Sequence, residues 1–186
     1  LPGSLAIQPI FSGSTTCLDP HDLAFDGTGR LLILDRISRA IRVHLGADNF
    51  QDVVVGMPSE PRSIAVGAGD DIYVSDVSGT IRRYDSNGNP INGGVFANGL
   101  DTSPPVAIGP GGVWGADLYA VSGGHLLRFD ASGASTPIGS GFAGRTFDLM
   151  FGPDGALYAS RFDDDRVLRI APCNTPTVPG LVVSTY

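Results

Sequence analysis

The chain repeats one pattern of short strands four times. Each copy opens with an apolar strand, turns at glycine, returns through a second apolar strand and leaves through a third. The copies span residues 21–45, 62–85, 106–130 and 147–170. Their equivalent positions, taken as Asp22, Ser63, Ala107 and Asp148, lie 41, 44 and 41 residues apart. A period of about 40–45 residues built from strands is typical of propeller blades. The sequence therefore predicts an all-β fold, a small β-propeller of about four four-stranded blades.

Residue types alternate with a period of two within the repeats, which supports the prediction of strands. The pattern also suggests roles for the recurring tyrosines and arginines. The second strand carries a tyrosine at one position in three copies, Tyr73, Tyr119 and Tyr158. The third strand carries an apolar residue and, two positions later, an arginine: Arg83, Arg128 and Arg169. Such a period of two is the pattern of a strand with one buried face. We expect the tyrosines to pack between neighbouring sheets, and the arginines to cover sheet edges or to pair with aspartates of the turns.

Four repeats and two flanking segments make up the predicted organisation. The repeats cover residues 19–171, divided as 19–60, 61–103, 104–144 and 145–171, and the flanks are residues 1–18 and 172–186. Residues 6–13 resemble the outer strand predicted at 93–99, so the N-terminal segment is expected to complete the last blade and close the ring, or to be exchanged between molecules. In the alternative, residues 181–186 supply that outer strand. The N-terminal strand is then free to add to another molecule.

Charge and hydropathy exclude two classes of partner. The net charge is −7, and all 12 basic residues are arginine. A negative chain is a poor ligand for nucleic acid and for anionic membranes. No apolar run approaches the ~20 residues of a membrane span, so membrane insertion is not expected. The remaining partners are proteins, among them other copies of the chain.

Cys17 and Cys173 flank the repeats, and the chain begins without methionine. Together these features predict a processed, secreted protein, extracellular or periplasmic, with a disulfide between the two cysteines. The bridge can form within one chain or between two chains, and two unpaired thiols are the alternative. A fragment of a larger propeller would have the same N-terminus.

The candidate binding site lies at the mouth of the central channel, where the inner strands begin. Its predicted residues are His21, Asp22, Arg62 and Asp148. Asp22 and Asp148 share one register, and two such carboxylates can hold Ca²⁺ or Mg²⁺ through oxygen ligands. The favoured interpretation is that they accept backbone hydrogen bonds at the start of each strand. The acidic loop 163–165 is a second, weaker calcium candidate. No catalytic residue and no resident cofactor are predicted.

The segments Ile72-Tyr73-Val74-Ser75-Asp76 and Pro61-Arg62-Ser63-Ile64-Ala65-Val66 resemble the core and the opening of NHL repeats. The resemblance covers about residues 19–170 and places the chain near the NHL and gluconolactonase-like propeller superfamily, which implies a propeller fold. That superfamily contains binding modules, lactonases and lyases, so its fold does not decide function.

The enzymes of that superfamily imply sites that this chain matches only in part. Gluconolactonase-like enzymes hold a metal through Glu, Asn and Asp, whereas Glu60, the single glutamate, precedes the second blade. Virginiamycin B lyase-like propellers use a histidine-centred Mg²⁺ site, for which His21 is the matching residue. We therefore predict an exported binding or assembly module that is not an enzyme. The alternative is a lactonase-like hydrolase or a lyase with a divalent-metal site at the channel mouth.

Overall fold

Four antiparallel four-stranded sheets form the blades of a β-propeller in the computed structural model. The structure describes residues 19–46 and 49–172, together with the backbone of residues 181–185. Helical structure in these residues consists of two 3-10 turns, Ala68–Asp70 and Gly112–Trp114. No helix of the described chain has the length and hydropathy needed to cross a bilayer. The predicted fold class is confirmed.

Each blade is built in chain order from the inner strand outward. Blade 1 contains β1 (Pro20–Phe25), β2 (Leu31–Asp35), β3 (Ala40–Gly46) and β4 (Asn49–Val54). Blade 2 contains β5 (Pro61–Val66), β6 (Ile72–Asp76), β7 (Ile81–Tyr84) and β8 (Pro90–Ala97). Blade 3 contains β9 (Val106–Ile108), β10 (Leu118–Ser122), β11 (His125–Phe129) and β12 (Ser135–Ser140). Blade 4 contains β13 (Thr146–Phe151), β14 (Leu157–Arg161), β15 (Arg166–Pro172) and β16 (Leu181–Thr185).

The core lies between successive blades, because every blade offers apolar side chains on both of its faces. One cluster joins blades 1 and 2, a second joins blades 2 and 3, and a third joins blades 3 and 4. Tyr73 belongs to the second cluster and Tyr119 to the third, as expected for tyrosines that pack between sheets. Burial of both faces is the main source of stability in a fold made of stacked sheets.

The strand arginines pair with aspartates of the turns, which confirms one of the two roles predicted for them. Arg83 binds Asp71 at 2.6 Å, and Arg169 binds Asp154 at 2.7 Å. Arg128 forms the equivalent ion pair with Asp117. These pairs are partly exposed, so each contributes at most about 1 kcal/mol. Their main effect is to hold the turn between the first two strands against the third.

The register of the third blade differs from the one predicted. Ala107 pairs with Tyr119, as Ala65 pairs with Tyr73, so these two alanines are equivalent. The residue equivalent to Asp22 and Ser63 is Pro105, which gives spacings of 41, 42 and 43 residues. The assignment of Ala107 to this position was wrong by two residues. Proline has no N–H to donate to a ladder, so β9 begins only after it and is the shortest inner strand.

The outer strand of blade 4 comes from the C-terminal part of the chain. Backbone pairing joins β15 to β16, with Ile170 opposite Val183. This corresponds to the alternative in which residues 181–186 complete the last blade. Segment 1–18, Cys17 and Cys173 lie outside the described residues, so the exchanged strand and the disulfide stay predictions.

Asp26 closes the hairpin between β1 and β2 and should make stability depend on pH. Burial alone would raise the pKa of its carboxyl, but hydrogen bonds from Thr28 and Arg30 outweigh burial and lower the pKa to about 2. A lowered pKa stabilises the fold above the ordinary value of 3.8, and this contribution is lost as the pH falls towards 2. We expect Asp26→Asn to lower the free energy of unfolding by about 2 kcal/mol at neutral pH. The difference from the wild type should shrink steadily below pH 4.

Denaturant unfolding across this pH range measures the effect. Asp165→Asn changes an exposed carboxyl and is the control for loss of one negative charge. A deficit for Asp26→Asn that stays constant from neutral to acidic pH would contradict the assignment to ionisation.

Candidate functional site

The first residues of the inner strands and the loops before them enclose a cavity at one mouth of the channel. Its volume is about 350 Å³. Blade 1 contributes His21, and blade 2 contributes Arg62 and Ser63. Other parts of the wall come from the loop at 101–105, from Val121 and Phe142, and from residues 144–147. Inner strands of a propeller converge at the channel, which explains why residues more than 120 positions apart share this space. We call it the channel-mouth cavity.

The structure brings two of the four predicted site residues into the cavity wall and places the other two beside it. His21 and Arg62 line the cavity. Asp22 accepts hydrogen bonds from the backbone N–H of Leu23 and of Ile64, both at 2.8 Å. Asp148 accepts one from the N–H of Leu149, also at 2.8 Å. Both carboxylates therefore hold backbone at the start of a strand, the role that the sequence favoured.

Asp148 is the carboxyl group at the mouth with a raised pKa. Loss of hydration is the main cause, and repulsion from Asp22 adds to it. The hydrogen bond from the N–H of Leu149 acts in the opposite direction but is the smaller effect. A carboxyl group with a shifted pKa beside a second carboxyl group is a candidate functional group.

Two buried polar atoms at the cavity wall have no hydrogen-bond partner in the described part of the protein. They are Nε of Arg62 and Oγ1 of Thr146. Thr146 is 9% exposed, and Arg62 binds Glu60 through Nη2 at 2.7 Å. Buried polar groups are normally satisfied by protein, water or ligand. The pair thus marks the part of the wall where a bound molecule would gain hydrogen bonds.

Charged side chains of both signs lie around the same wall. Arg145 is 69% exposed, and its Nε lies 3.6 Å from Asp163. The acid in the wall is Asp101, whose carboxylate accepts a hydrogen bond from the N–H of Gly123 at 2.5 Å. Arg62 and Arg145 are thus each paired with a carboxylate, and the wall presents charges of both signs.

The other candidates from the sequence have structural partners elsewhere. In the acidic loop, Asp163 pairs with Arg145, and Asp164 binds Arg161 at 2.7 Å. Within 19–46 and 49–172, no group of three or more His, Cys, Asp and Glu side chains is placed to hold a metal ion.

Sequence reasoning missed most of the cavity wall. Phe142 and Arg145 precede the fourth inner strand, the loop at 101–105 precedes the third, and Thr146 is the first residue of β13. The linkers vary between repeats and so give no periodic signal. Their position in the repeat could have identified them, because a linker that leads into an inner strand ends at the channel mouth.

Comparison of the sequence with protein-family models and with curated proteins gives no match. Solved structures do resemble the fold. Virginiamycin B lyase from Staphylococcus aureus is 16% identical with a TM-score of 0.65, covering 90% of this chain and 55% of the lyase. A chain of a nidogen/laminin complex is 19% identical with a TM-score of 0.68, covering 81% and 59%. A gluconolactonase-like protein is 17% identical with a TM-score of 0.59, covering 75% and 54%.

These similarities show the fold alone, because the identities are low. They confirm the resemblance to NHL-repeat and gluconolactonase-like propellers. Enzymes and binding propellers occur among the similar structures, so fold similarity does not separate the two classes. The chain spans little more than half the length of these three structures.

Proposed function

We propose that the protein is an exported binding module whose channel-mouth cavity recognises a carboxylate group on a protein partner. The observation that carries the proposal is the pair of unsatisfied buried atoms at the wall, Nε of Arg62 and Oγ1 of Thr146. An arginine N–H and a hydroxyl are both suited to donate to a carboxylate, and the arginine adds charge to the bond.

The remaining wall fits a ligand with an apolar part beside its acidic group. Phe142 is 1% exposed and Val121 is 6% exposed, and both line the cavity. A volume of about 350 Å³ accommodates one or two side chains rather than a folded domain. The end of a peptide or an extended loop of a partner protein fits these limits. The nidogen/laminin complex among the similar structures is consistent with a propeller that binds protein.

Binding of short peptides that end in an apolar residue and a free C-terminal carboxylate tests the proposal. Calorimetry should detect these peptides, and their C-terminally amidated counterparts should bind at least about tenfold more weakly. Arg62→Gln should cause a similar loss, because it removes the charged donor at the wall. Arg39→Gln makes the same charge change at an exposed side chain outside the cavity and is the matched control. Equal affinity for free and amidated peptides, or unchanged binding by Arg62→Gln, would overturn the proposal.

The neighbouring carboxyl groups of Asp22 and Asp148, whose mutual repulsion contributes to the raised pKa of Asp148, favour a second candidate, a lactonase-like hydrolase or a lyase with a divalent cation at the channel mouth. In this alternative Asp22 and Asp148 would supply oxygen ligands to Ca²⁺ or Mg²⁺. Lactone hydrolysis measured with and without these ions separates the two functions. Turnover that is lost in Asp148→Asn and kept in Asp165→Asn would favour the enzyme.

Export is proposed on sequence grounds, from the cysteines that flank the repeats. Titration of thiols in the purified, unfolded protein tests it. We expect no free thiol before reduction and two per chain afterwards. Two free thiols in protein prepared under oxidising conditions would contradict a structural disulfide.

A further inference from the structure

Asparagine is followed by glycine at three places in the chain: Asn87, Asn92 and Asn98. All three asparagines are exposed, and all lie in blade 2 or in the linker that leaves it. In an Asn-Gly pair, the backbone nitrogen of the glycine can attack the side-chain carbonyl carbon of the asparagine, because glycine has no Cβ in the way and reaches many backbone conformations. The reaction therefore depends on whether that nitrogen is free to move.

The first two pairs lie in paired or hydrogen-bonded backbone. Gly88 donates its N–H to the carbonyl oxygen of Asp85 at 2.9 Å, so the attacking nitrogen of this pair is engaged in a turn. Asn92 lies within β8, between Pro90 and Val95, which both pair with β7. Both ends of the short segment around Asn92 are thus fixed to the sheet.

Asn98 lies directly after β8, in the linker that leads to β9. Neither its side-chain amide nor the N–H of Gly99 has a hydrogen-bond partner among the residues that the structure describes. A Cβ at Gly99 would have nothing within 4 Å, so the space around this pair is open. Attack by the nitrogen of Gly99 therefore breaks no hydrogen bond within the described part of the protein.

We propose that Asn98 deamidates spontaneously and that one of its two products loosens the cavity wall. The nitrogen of Gly99 forms a bond to Cγ of Asn98, and the side-chain nitrogen leaves as ammonia, which gives a cyclic succinimide. Water then adds to one of the two ring carbonyls and opens the ring. Opening on one side gives aspartate, and opening on the other gives isoaspartate, whose main chain passes through the former side chain and is longer by a CH₂ group. Water is consumed, ammonia is released, and the net charge of −7 becomes more negative by one.

The linker is clamped immediately after Asn98, so a longer main chain has little room. Leu100 donates its N–H to the carbonyl oxygen of Gly79 at 3.1 Å, and a Cβ at Gly79 would lie 2.1 Å from the carbonyl oxygen of Leu100. The next residue, Asp101, donates its N–H to Oγ of Ser122 at 2.8 Å and lines the channel-mouth cavity. An extra CH₂ group in the main chain should break these contacts and loosen this part of the wall, whatever the cavity binds.

Site-resolved mass spectrometry of aged protein tests the modification. The tryptic peptide 84–128 contains all three Asn-Gly pairs, and its fragment ions separate them. After incubation of the folded protein in mildly alkaline buffer, we expect a gain of about 1 Da at Asn98. It should form at least about fivefold faster than at Asn87, where the hydrogen bond of Gly88 must break first. In protein unfolded by denaturant, the two rates should become similar. An intact Asn98, or equal rates in the folded protein, would overturn the proposal.

Hydrogen exchange of the aged protein tests the effect on the wall. Ion exchange isolates the deamidated protein by its added negative charge, and peptide mapping measures its isoaspartyl fraction. The N–H groups of Leu100 and Asp101 should lose protection in proportion to that fraction. Asn98→Asp carries the same charge on an ordinary main chain and should keep the protection of the wild type. Full protection in the isoaspartyl form, or an equal loss in Asn98→Asp, would overturn the link to the cavity wall.

Discussion

Replacing Trp114 by alanine should lower the free energy of unfolding by about 3–5 kcal/mol. The indole is 3% exposed and makes edge contacts with Tyr119 and Phe151, at 5.4 and 5.2 Å between ring centroids. Its Nε1 donates to the carbonyl oxygen of Gly155 in blade 4 at 2.8 Å. Trp114 lies in a 3-10 turn of blade 3, so one side chain fastens that turn to the next blade. Alanine would leave a cavity between the blades, and the carbonyl oxygen of Gly155 would lose its hydrogen bond.

Denaturant unfolding followed by circular dichroism measures this effect, since Trp114 is the single tryptophan and its removal abolishes the usual fluorescence signal. Trp114→Phe keeps an aromatic ring and loses the hydrogen bond, so its loss of stability should be clearly smaller than that of alanine. Val113→Ala changes the neighbouring residue, which is 77% exposed, and should shift stability by less than about 0.5 kcal/mol. A loss for Trp114→Ala no greater than that of Val113→Ala would contradict the role in joining blades.

The four blades could be predicted because every repeat must bury the same two faces. This requirement preserves strand alternation, so the tyrosine and arginine positions were recognisable even though the repeats share few identical residues. The pairing of Arg83 with Asp71 follows the same logic, since both lie at fixed places in a blade. Periodic burial is a strong signal in sequence because it recurs.

Features that occur in only one blade were not predicted from the sequence. Trp114 lies in a turn that has no counterpart of the same sequence in the other blades, and its partner Gly155 is 41 residues away. In blade 3 Pro105 occupies the position of Asp22 and Ser63, and because the apolar strand begins only after it, Ala107 was taken as the equivalent residue. Thr146 enters the cavity wall through the curvature of the blades, which no local pattern encodes. Contacts between blades depend on how the blades are arranged in three dimensions, which a local sequence pattern does not predict.

Gly88→Ala should destabilise the protein by at least about 2 kcal/mol more than Gly29→Ala. The two glycines are a matched pair: each has φ of +84°, and each donates its N–H to the aspartate carbonyl three residues earlier at 2.9 Å. Alanine therefore meets the same left-handed strain at both, about 1 kcal/mol. The surroundings differ. A Cβ at Gly29 would have nothing within 4 Å, whereas a Cβ at Gly88 would lie 1.9 Å from the carbonyl oxygen of Val53 in blade 1.

The difference between the two variants isolates the contact between blades from the strain of the turn. Thermal and denaturant unfolding of both proteins, under identical conditions, gives that difference directly. The same geometry recurs one blade later, where a Cβ at Gly133 would lie 1.9 Å from the carbonyl oxygen of Phe96. Gly133→Ala should therefore resemble Gly88→Ala and not Gly29→Ala. Equal losses of stability in all three variants would contradict this prediction. They would mean that the turns at Gly88 and Gly133 do not contact the outer strand of the preceding blade.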